Sequence, residues 1–310
     1  MKKGLIAIIG PTAVGKTRLA IECALSFNGE IVNADSRQVY RFMDIGTAKP
    51  TAADRASITH HLIDIVNPDG SFSQALYQKK AYEAINDIQE RNKIPFLVGG
   101  SGLYVWSVIE GWQIPEVPPD HDFRKSLEER AREDGGDSIY QYLLKIDSIA
   151  AAKILPGNIR RIIRALEVHR ATGCPPSQFW QKKPPEFPIL IIGLTADRKE
   201  LYRLIDSRVD RMVQDGLIEE TGDLMAKGYG PDLPSMSGIG YRQMVMFLNR
   251  ELTREESIMQ MKYATHKFAR HQYAWFHLND DRIKWFDIRD DIKPEIIKLL
   301  ETFVYNNSND

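Results

Sequence analysis

The run Gly-Pro-Thr-Ala-Val-Gly-Lys-Thr at residues 10 to 17 fits the phosphate-binding loop G-x-x-x-x-G-K-[ST] at every fixed position, and it constrains the fold more than any other stretch of the chain. Such a loop works between a strand and a helix. The apolar run Leu5-Ile6-Ala7-Ile8-Ile9 before it reads as a buried strand, and Lys16 to Leu25 reads as a helix opening beneath it. Gly10 and Gly15 let the backbone curl so that N–H groups point inward, and the helix N-terminus adds positive potential there. The polyphosphate-binding candidates are therefore Gly10, Pro11, Thr12, Ala13, Val14, Gly15, Lys16 and Thr17. Lys16 supplies a mobile charge, and the Thr17 hydroxyl is placed to ligate magnesium. A bare glycine turn is the competing reading, and the order of strand, loop and helix argues against it.

The pattern predicts an α/β fold: a P-loop-type parallel sheet flanked by helices, with an inserted all-helical domain. Leu5 to Ile9, Glu30 to Ala34 and Ile94 to Val98 read as strands, with His61 to Val66 a weaker candidate. Ser73 to Arg91 reads as a helix capped by Ser71 or Ser73. Prolines 115, 118 and 119 end this first pass, and helices are predicted at Asp120 to Glu133, Ser138 to Lys145, Ser148 to Leu155 and Asn158 to Ala171. A second proline cluster, from Pro175 to Pro188, precedes the strand-like Ile189 to Gly193. Helices follow at Arg198 to Gln214, Leu217 to Lys227, Tyr241 to Asn249, Arg254 to Leu278 and Pro294 to Phe303, with a short strand at Ile283 to Phe286. The expected division is a core of residues 1–114 and 186–310 around an insertion of 115–185. Tyr305 to Asp310 is expected to fray.

With 310 residues, 43% of them hydrophobic, the chain can bury a sizeable core. A formal charge of −1 gives no bulk attraction to nucleic acid, so any such partner needs local basic patches. Two cysteines, Cys23 and Cys174, suit neither a disulfide framework nor a C-x-x-C metal site. No run is long and apolar enough for a membrane span, and a cytoplasmic monomer with no membrane attachment is expected.

Asp35 follows the second strand at the carboxyl edge of the sheet, where ligands of open α/β sheets bind. A carboxylate there can ligate magnesium or take a proton from a nucleophile; it can also cap a helix opening at Ser36. The third strand ends in Gly99-Gly100-Ser101-Gly102, where a motor-type ATPase would often carry an acid. Two basic patches follow. Ile159, Ile162, Ile163 and Leu166 share one helical stripe, with Arg160, Arg161 and Arg164 away from it. Lys262, His266, Lys267, Arg270 and His271 interleave with Tyr263, Phe268, Tyr273 and Trp275. Arginines suit phosphates and aromatics suit unpaired bases, whereas a solvated face and a core stripe are the bland alternatives. Met244, Met246, Met259 and Met261 read as core packing. On these residues alone a small-molecule kinase using ATP leads, with Asp35 acting on a hydroxyl; an RNA-binding NTPase module is a third possibility.

Residues 10 to 17, Asp35-Ser36-Arg37-Gln38-Val39-Tyr40, Gly46-Thr47-Ala48-Lys49-Pro50, His60-His61-Leu62-Ile63-Asp64-Ile65, Gly99-Gly100-Ser101-Gly102-Leu103-Tyr104, Arg164-Ala165-Leu166-Glu167-Val168 and Gly240-Tyr241-Arg242-Gln243 together resemble the tRNA dimethylallyltransferase family. The resemblance implies transfer of a dimethylallyl group from dimethylallyl diphosphate to the exocyclic amino group of the adenosine 3′-adjacent to the anticodon, with diphosphate released. It implies magnesium and a tRNA anticodon stem-loop as partner. By position, Thr12 to Thr17 are similar to the diphosphate cradle, Asp35 to the base on the amino group, and Arg208 to a diphosphate-binding arginine. Ser101 stands where the family usually has threonine beside the reaction centre. Asp35 to Gln38, Ser101, Arg124, Ile159 to Arg164, Ser237 to Gln243 and Arg270 to His277 correspond to tRNA-contacting segments. Prenyl transfer to free adenine nucleotides is the nearer alternative, and the basic patches favour the larger substrate.

Overall fold

The computed structural model describes residues 4–307. They form two compact units, one made of the chain up to Ile109 together with the chain from Pro185 onward, the other of Glu110–Pro184. The first unit opens with β1 (Leu5–Ile9), α1 (Lys16–Ser26), β2 (Gly29–Asn33), α2 (Ala52–Ser57), β3 (His60–His61), α3 (Gln74–Glu90), β4 (Ile94–Gly99) and α4 (Gly102–Ile109). The second holds α5 (His121–Glu133), α6 (Gly136–Ile146), α7 (Ser148–Lys153), α8 (Ile159–Thr172) and a 3-10 turn at Pro176–Phe179. The chain then returns to the first with β5 (Ile189–Thr195), α9 (Arg198–Gln214), α10 (Leu217–Ala226), α11 (Tyr241–Leu248), α12 (Arg254–Gln272), β6 (Ile283–Asp287) and α13 (Lys293–Asn306).

Among the described residues the sheet has six strands in the order β3-β2-β4-β1-β5-β6, every neighbouring pair parallel. Helices pack on the sheet, and β1, β2 and β4 are buried at every position; β1 and β4 read as apolar runs, whereas β2 buries Glu30 and Asn33. Register matters for function. Ile9 lies beside Gly99 and Gly193, and Asn33 beside Val98, so β1, β2 and β4 end at one level and deliver the phosphate loop, Asp35 and Gly99–Ser101 to the same edge.

The helical unit closes on a two-stranded stem, which draws Glu110 to Gln113 into it. Trp112 bridges Lys182 antiparallel, Gln113 N–H donates to Gln181 O at 3.0 Å, and Lys183 N–H donates to Gly111 O at 2.9 Å. Its core is built on Leu127, Ile139, Leu143, Ile162 and Leu166.

Three elements depart from expectation for physical reasons. The strand expected at His61 to Val66 shrinks to His60–His61, because Leu62 and Asp64 take positive φ and break the extended backbone. The helix expected to reach Leu278 stops at Gln272, and the Trp275 carbonyl, which a continuing helix would use internally, accepts from Trp106 Nε1 at 2.8 Å. No helix opens at Ser36; residues 36–39 form turns, and Asp35 Oδ1 accepts the Arg37 N–H at 2.8 Å in an Asx turn. Of the tail expected to fray, Tyr305 and Asn306 are helical, and 308–310 lie outside the described residues. No helix of the described residues is long and apolar enough to cross a membrane.

Candidate active site

The loop between β1 and α1 is fixed from several sides. Gly10 has φ +139°, and a Cβ there would lie 2.3 Å from the Leu194 carbonyl oxygen of β5, so the tight packing itself demands glycine. Lys16 Nζ folds back and donates to Pro11 O at 2.6 Å. Arg208 reaches in from α9 and donates through Nη1 to Thr12 Oγ1 at 3.1 Å. The Thr12 N–H donates to Gln272 Oε1 at 2.8 Å, and Gln272 Nε2 donates to Gly100 O at 2.9 Å.

These groups line a cleft at the carboxyl ends of β1, β2 and β4. Thr12, Lys16, Thr17, Asp35, Arg208 and Gln272 form its polar wall, and Ile31, Ala48, Pro50, Ile63, Val98 and Phe268 its apolar one. A second cleft runs along the outer side of the loop, lined by Ala13, Gly15, Arg18, Ser207 and Arg211 among others. The two share Lys16, Thr17, Ala48, Pro50 and Arg208 as walls.

The electrostatics of the first cleft are one-sided. Burial and the nearby Arg208 guanidinium push the Lys16 amine down to about 7, with Asp35 opposing. Burial also lowers Arg208, again opposed by Asp35. Two cations brought together with one carboxylate form a site that lacks negative charge. Such a site is suited to a polyanion.

Asp35 is held by what surrounds it. Asn33, buried at the end of β2, accepts the Asp35 N–H at 3.2 Å and donates to Leu62 O at 3.1 Å, tying β2 to the loop after β3. Ser101 Oγ accepts the Ser36 N–H at 3.0 Å and contacts Ser36 Oγ at 3.3 Å, so its hydroxyl braces the turn that follows Asp35. Lys49, with its side chain buried, donates to Tyr40 O at 2.6 Å, Asp44 at 2.7 Å and Asp64 at 2.5 Å, fixing the two loops that carry Pro50 and Ile63.

Several residues expected to face RNA are occupied inside the protein. Arg37 donates to Pro234 O at 2.7 Å and Ser235 O at 3.3 Å; Gln38 Nε2 donates to Thr47 O and Ala48 O, both at 3.1 Å. Tyr241 is buried and its hydroxyl donates to Glu220 at 2.6 Å, while Gln243 Oε1 accepts the Gly240 N–H at 2.9 Å. Arg242 alone of 240–243 points to solvent. On α12, Lys267, Arg270 and His271 are exposed, Arg270 donating to the Tyr202 hydroxyl, whereas Lys262 and His266 pair with Asp210 and Asp206. Phe268 is 43% exposed and borders the first cleft, so it is no part of a core stripe. Met244 and Met261 are buried as expected; Met259 is exposed.

In the helical unit, Ile162 and Ile163 are buried in the core with their side chains turned from solvent. Arg124 and Arg164 both bind Glu167, which is 1% exposed. Burial alone would raise that carboxyl, and the donors Arg124, Asp120 N–H and Arg164 outweigh it, bringing it to about 2. Arg160 and Arg161 remain exposed.

Sequence reasoning missed the work of Gln272, Asn33 and Lys49. Gln272 falls within the 270–277 segment expected to touch RNA; its buried carboxamide holds the phosphate loop instead.

The family model for IPP transferase matches residues 38–279, a stretch that begins after the phosphate loop. The tRNA dimethylallyltransferase of Roseiflexus castenholzii is 55% identical over 272 residues, covering 88% of this chain and 89% of that protein. The crystal structure of full-length tRNA isopentenylpyrophosphate transferase from Bacillus halodurans is 41% identical, covers 99% of both chains and superposes with a TM-score of 0.72. A eukaryotic dimethylallyltransferase captured acting on tRNA is 28% identical, covers 98% of this chain and 80% of that one, and gives a TM-score of 0.83.

Proposed function

The chain belongs to the IPP transferase family, and from that premise we propose that it transfers the dimethylallyl group of dimethylallyl diphosphate to the exocyclic amino group of the adenosine 3′-adjacent to the anticodon of tRNA. One observation carries the reading: a cationic phosphate loop, a strand-end carboxylate and an apolar wall line the same cleft. The diphosphate end of the donor suits Lys16, Arg208 and the loop N–H groups. The hydrocarbon tail suits Ile31, Ile63 and Val98. The shared wall of the two clefts lets the donor enter along the loop and the adenine from the Asp35 side.

In the step so drawn, the adenine nitrogen forms a bond to the allylic carbon while the bond from that carbon to the diphosphate oxygen breaks. The diphosphate leaves with the electron pair, and Asp35 takes the proton from the nitrogen. The amino lone pair is drawn into the purine ring, so a positioned base is worth roughly 10²–10⁴ in rate. Charge growing on the leaving oxygens would be met by Lys16, Arg208 and loop N–H groups other than that of Thr12.

Among the described residues no cluster of three or more His, Cys, Asp or Glu side chains is placed to hold a metal unaided. The Thr17 hydroxyl borders the cleft, and one protein oxygen beside substrate phosphates fits magnesium in the way it usually binds. When bound there the ion would neutralise charge on the diphosphate.

Of the basic residues expected to face RNA, Arg160 and Arg161 in the helical unit and Arg242, Lys267, Arg270 and His271 in the sheet unit are exposed. We assign phosphate contacts to them, and recognition of the extruded base to the cleft edge at Asp35 and Ser36, since the Arg37 and Gln38 donors are engaged within the protein. A monomer acting in the cytoplasm, where tRNA is found, completes the proposal. The test is mass spectrometry of nucleosides from anticodon stem-loop RNA incubated with protein, magnesium and dimethylallyl diphosphate. One prenyl group gained on adenosine supports the reading; no gain, together with phosphate transfer from ATP, would replace it with a kinase.

A further inference from the structure

Gln272 is the last residue of α12, and both ends of its buried carboxamide are in use, Oε1 on the Thr12 N–H and Nε2 on the Gly100 carbonyl. One side chain therefore joins the phosphate loop to the end of β4. The fit is close: a Cβ on Gly100 would lie 2.2 Å from Gln272 Nε2. The rotamer freedom an immobilised glutamine gives up is of the same order as the return from two neutral hydrogen bonds. Net stability from the clamp is close to zero. What it contributes is placement.

The same turn of α12 presents Arg270 and His271 to solvent, with Lys267 one turn earlier. Beyond Gln272 the helix tightens into i→i−3 bonds, from Tyr273, Ala274 and Trp275 N–H to Arg270, His271 and Gln272 O, and Phe276 N–H keeps an i→i−4 bond to Gln272 O. This tightened end fixes where the Gln272 side chain begins. We propose that Gln272 is a positioning residue that couples a polyanion docked on this basic face to the order of the phosphate loop. RNA phosphates steady the last turn of α12, the turn steadies Gln272, and Gln272 holds Thr12 at its distance from Gly100. Each ligand then spares the other part of the ordering cost, and the effect is reciprocal. The inference rests on reading the loop as a diphosphate cradle and the basic face as an RNA contact.

The experiment is calorimetric titration of magnesium pyrophosphate into the full chain, with and without saturating anticodon stem-loop RNA. In the wild type, RNA is expected to tighten pyrophosphate binding by about tenfold. In Gln272→Met, which keeps the side-chain length and loses both hydrogen bonds, the factor should fall below about twofold. Gln272→Glu keeps the acceptor to Thr12, loses the donor to Gly100 and should lie between; it carries the comparison if the methionine variant melts early. Equal tightening in the variants and the wild type, or none in the wild type, overturns the coupling and leaves the cradle intact. Failure of pyrophosphate to bind the wild type under either condition removes the cradle, and the coupling with it.

Discussion

Arg208 Nη1 donates to Thr12 Oγ1 at 3.1 Å, which places a guanidinium from α9 against a phosphate loop 196 residues earlier in the chain. Burial makes that charge costly until an anion arrives. Arg208→Lys keeps a cation and loses the planar fork, and is expected to reduce kcat/KM for dimethylallyl diphosphate by roughly 10²-fold. Steady-state kinetics with the donor varied at saturating RNA measures it; a change under threefold would remove Arg208 from the step.

Asp35→Asn preserves the Asx turn, since an amide oxygen also accepts the Arg37 N–H. The single-turnover rate should drop by about 10²–10⁴, while RNA affinity shifts by no more than a few-fold. Rapid quench paired with filter binding separates the two. Unchanged turnover removes Asp35 as the base.

Lys16 sets a pH dependence whose sign is fixed by its depressed pKa of about 7 in the empty cradle. A bound diphosphate puts negative charge beside the amine and raises that value. Below pH 7 the amine is charged before and after binding; above it, binding takes up a proton, so donor affinity declines with rising pH by up to about tenfold per unit. Calorimetry near pH 8 in buffers of different ionisation enthalpy should detect uptake of nearly one proton. Lys16→Met should abolish that uptake, and its persistence would assign the proton elsewhere.

Glu167 makes the opposite prediction for the helical unit. Its folded pKa, about 2, lies below the ordinary 4.5, so its contribution is present in full above 4.5 and is lost as pH falls from there towards 2. Glu167→Gln leaves the Arg124 and Arg164 forks without a carboxylate and should cost roughly 1–3 kcal/mol at neutral pH. Thermal melts should show the gap between wild type and variant narrowing at pH 3. A gap that stays constant across that range would mean that the carboxylate charge is not its source.

The strands and the phosphate loop were legible because both are local: β1, α1, β4 and β5 need only an apolar run and a glycine pattern, and they lie within a few residues of where the sequence puts them. Helix α4 was missed because it is apolar on nearly every side, with Tyr104, Val105, Trp106, Val108 and Ile109 all buried, so no period marks it. Helix α2 is six residues long and is made by a Thr51–Asp54 capping box more than by its own stripe. The site divides the same way. Lys16, Thr17 and Asp35 follow from local motifs, whereas Gln272, Asn33 and Lys49 act through partners far away in the chain or through carbonyl oxygens that no residue pattern announces. Arginine roles are the least local of all. Spacing places a guanidinium on a face, yet only tertiary structure reveals that Arg37 is spent on Pro234 and Ser235, and Arg124 on Glu167.

The shared wall of Lys16, Thr17, Ala48, Pro50 and Arg208 stands between two openings. If the proposed reaction runs there, a small spent fragment would back out through one doorway while a bulky polymer still fills the other, and the sheet unit would not need to spring apart between rounds of work.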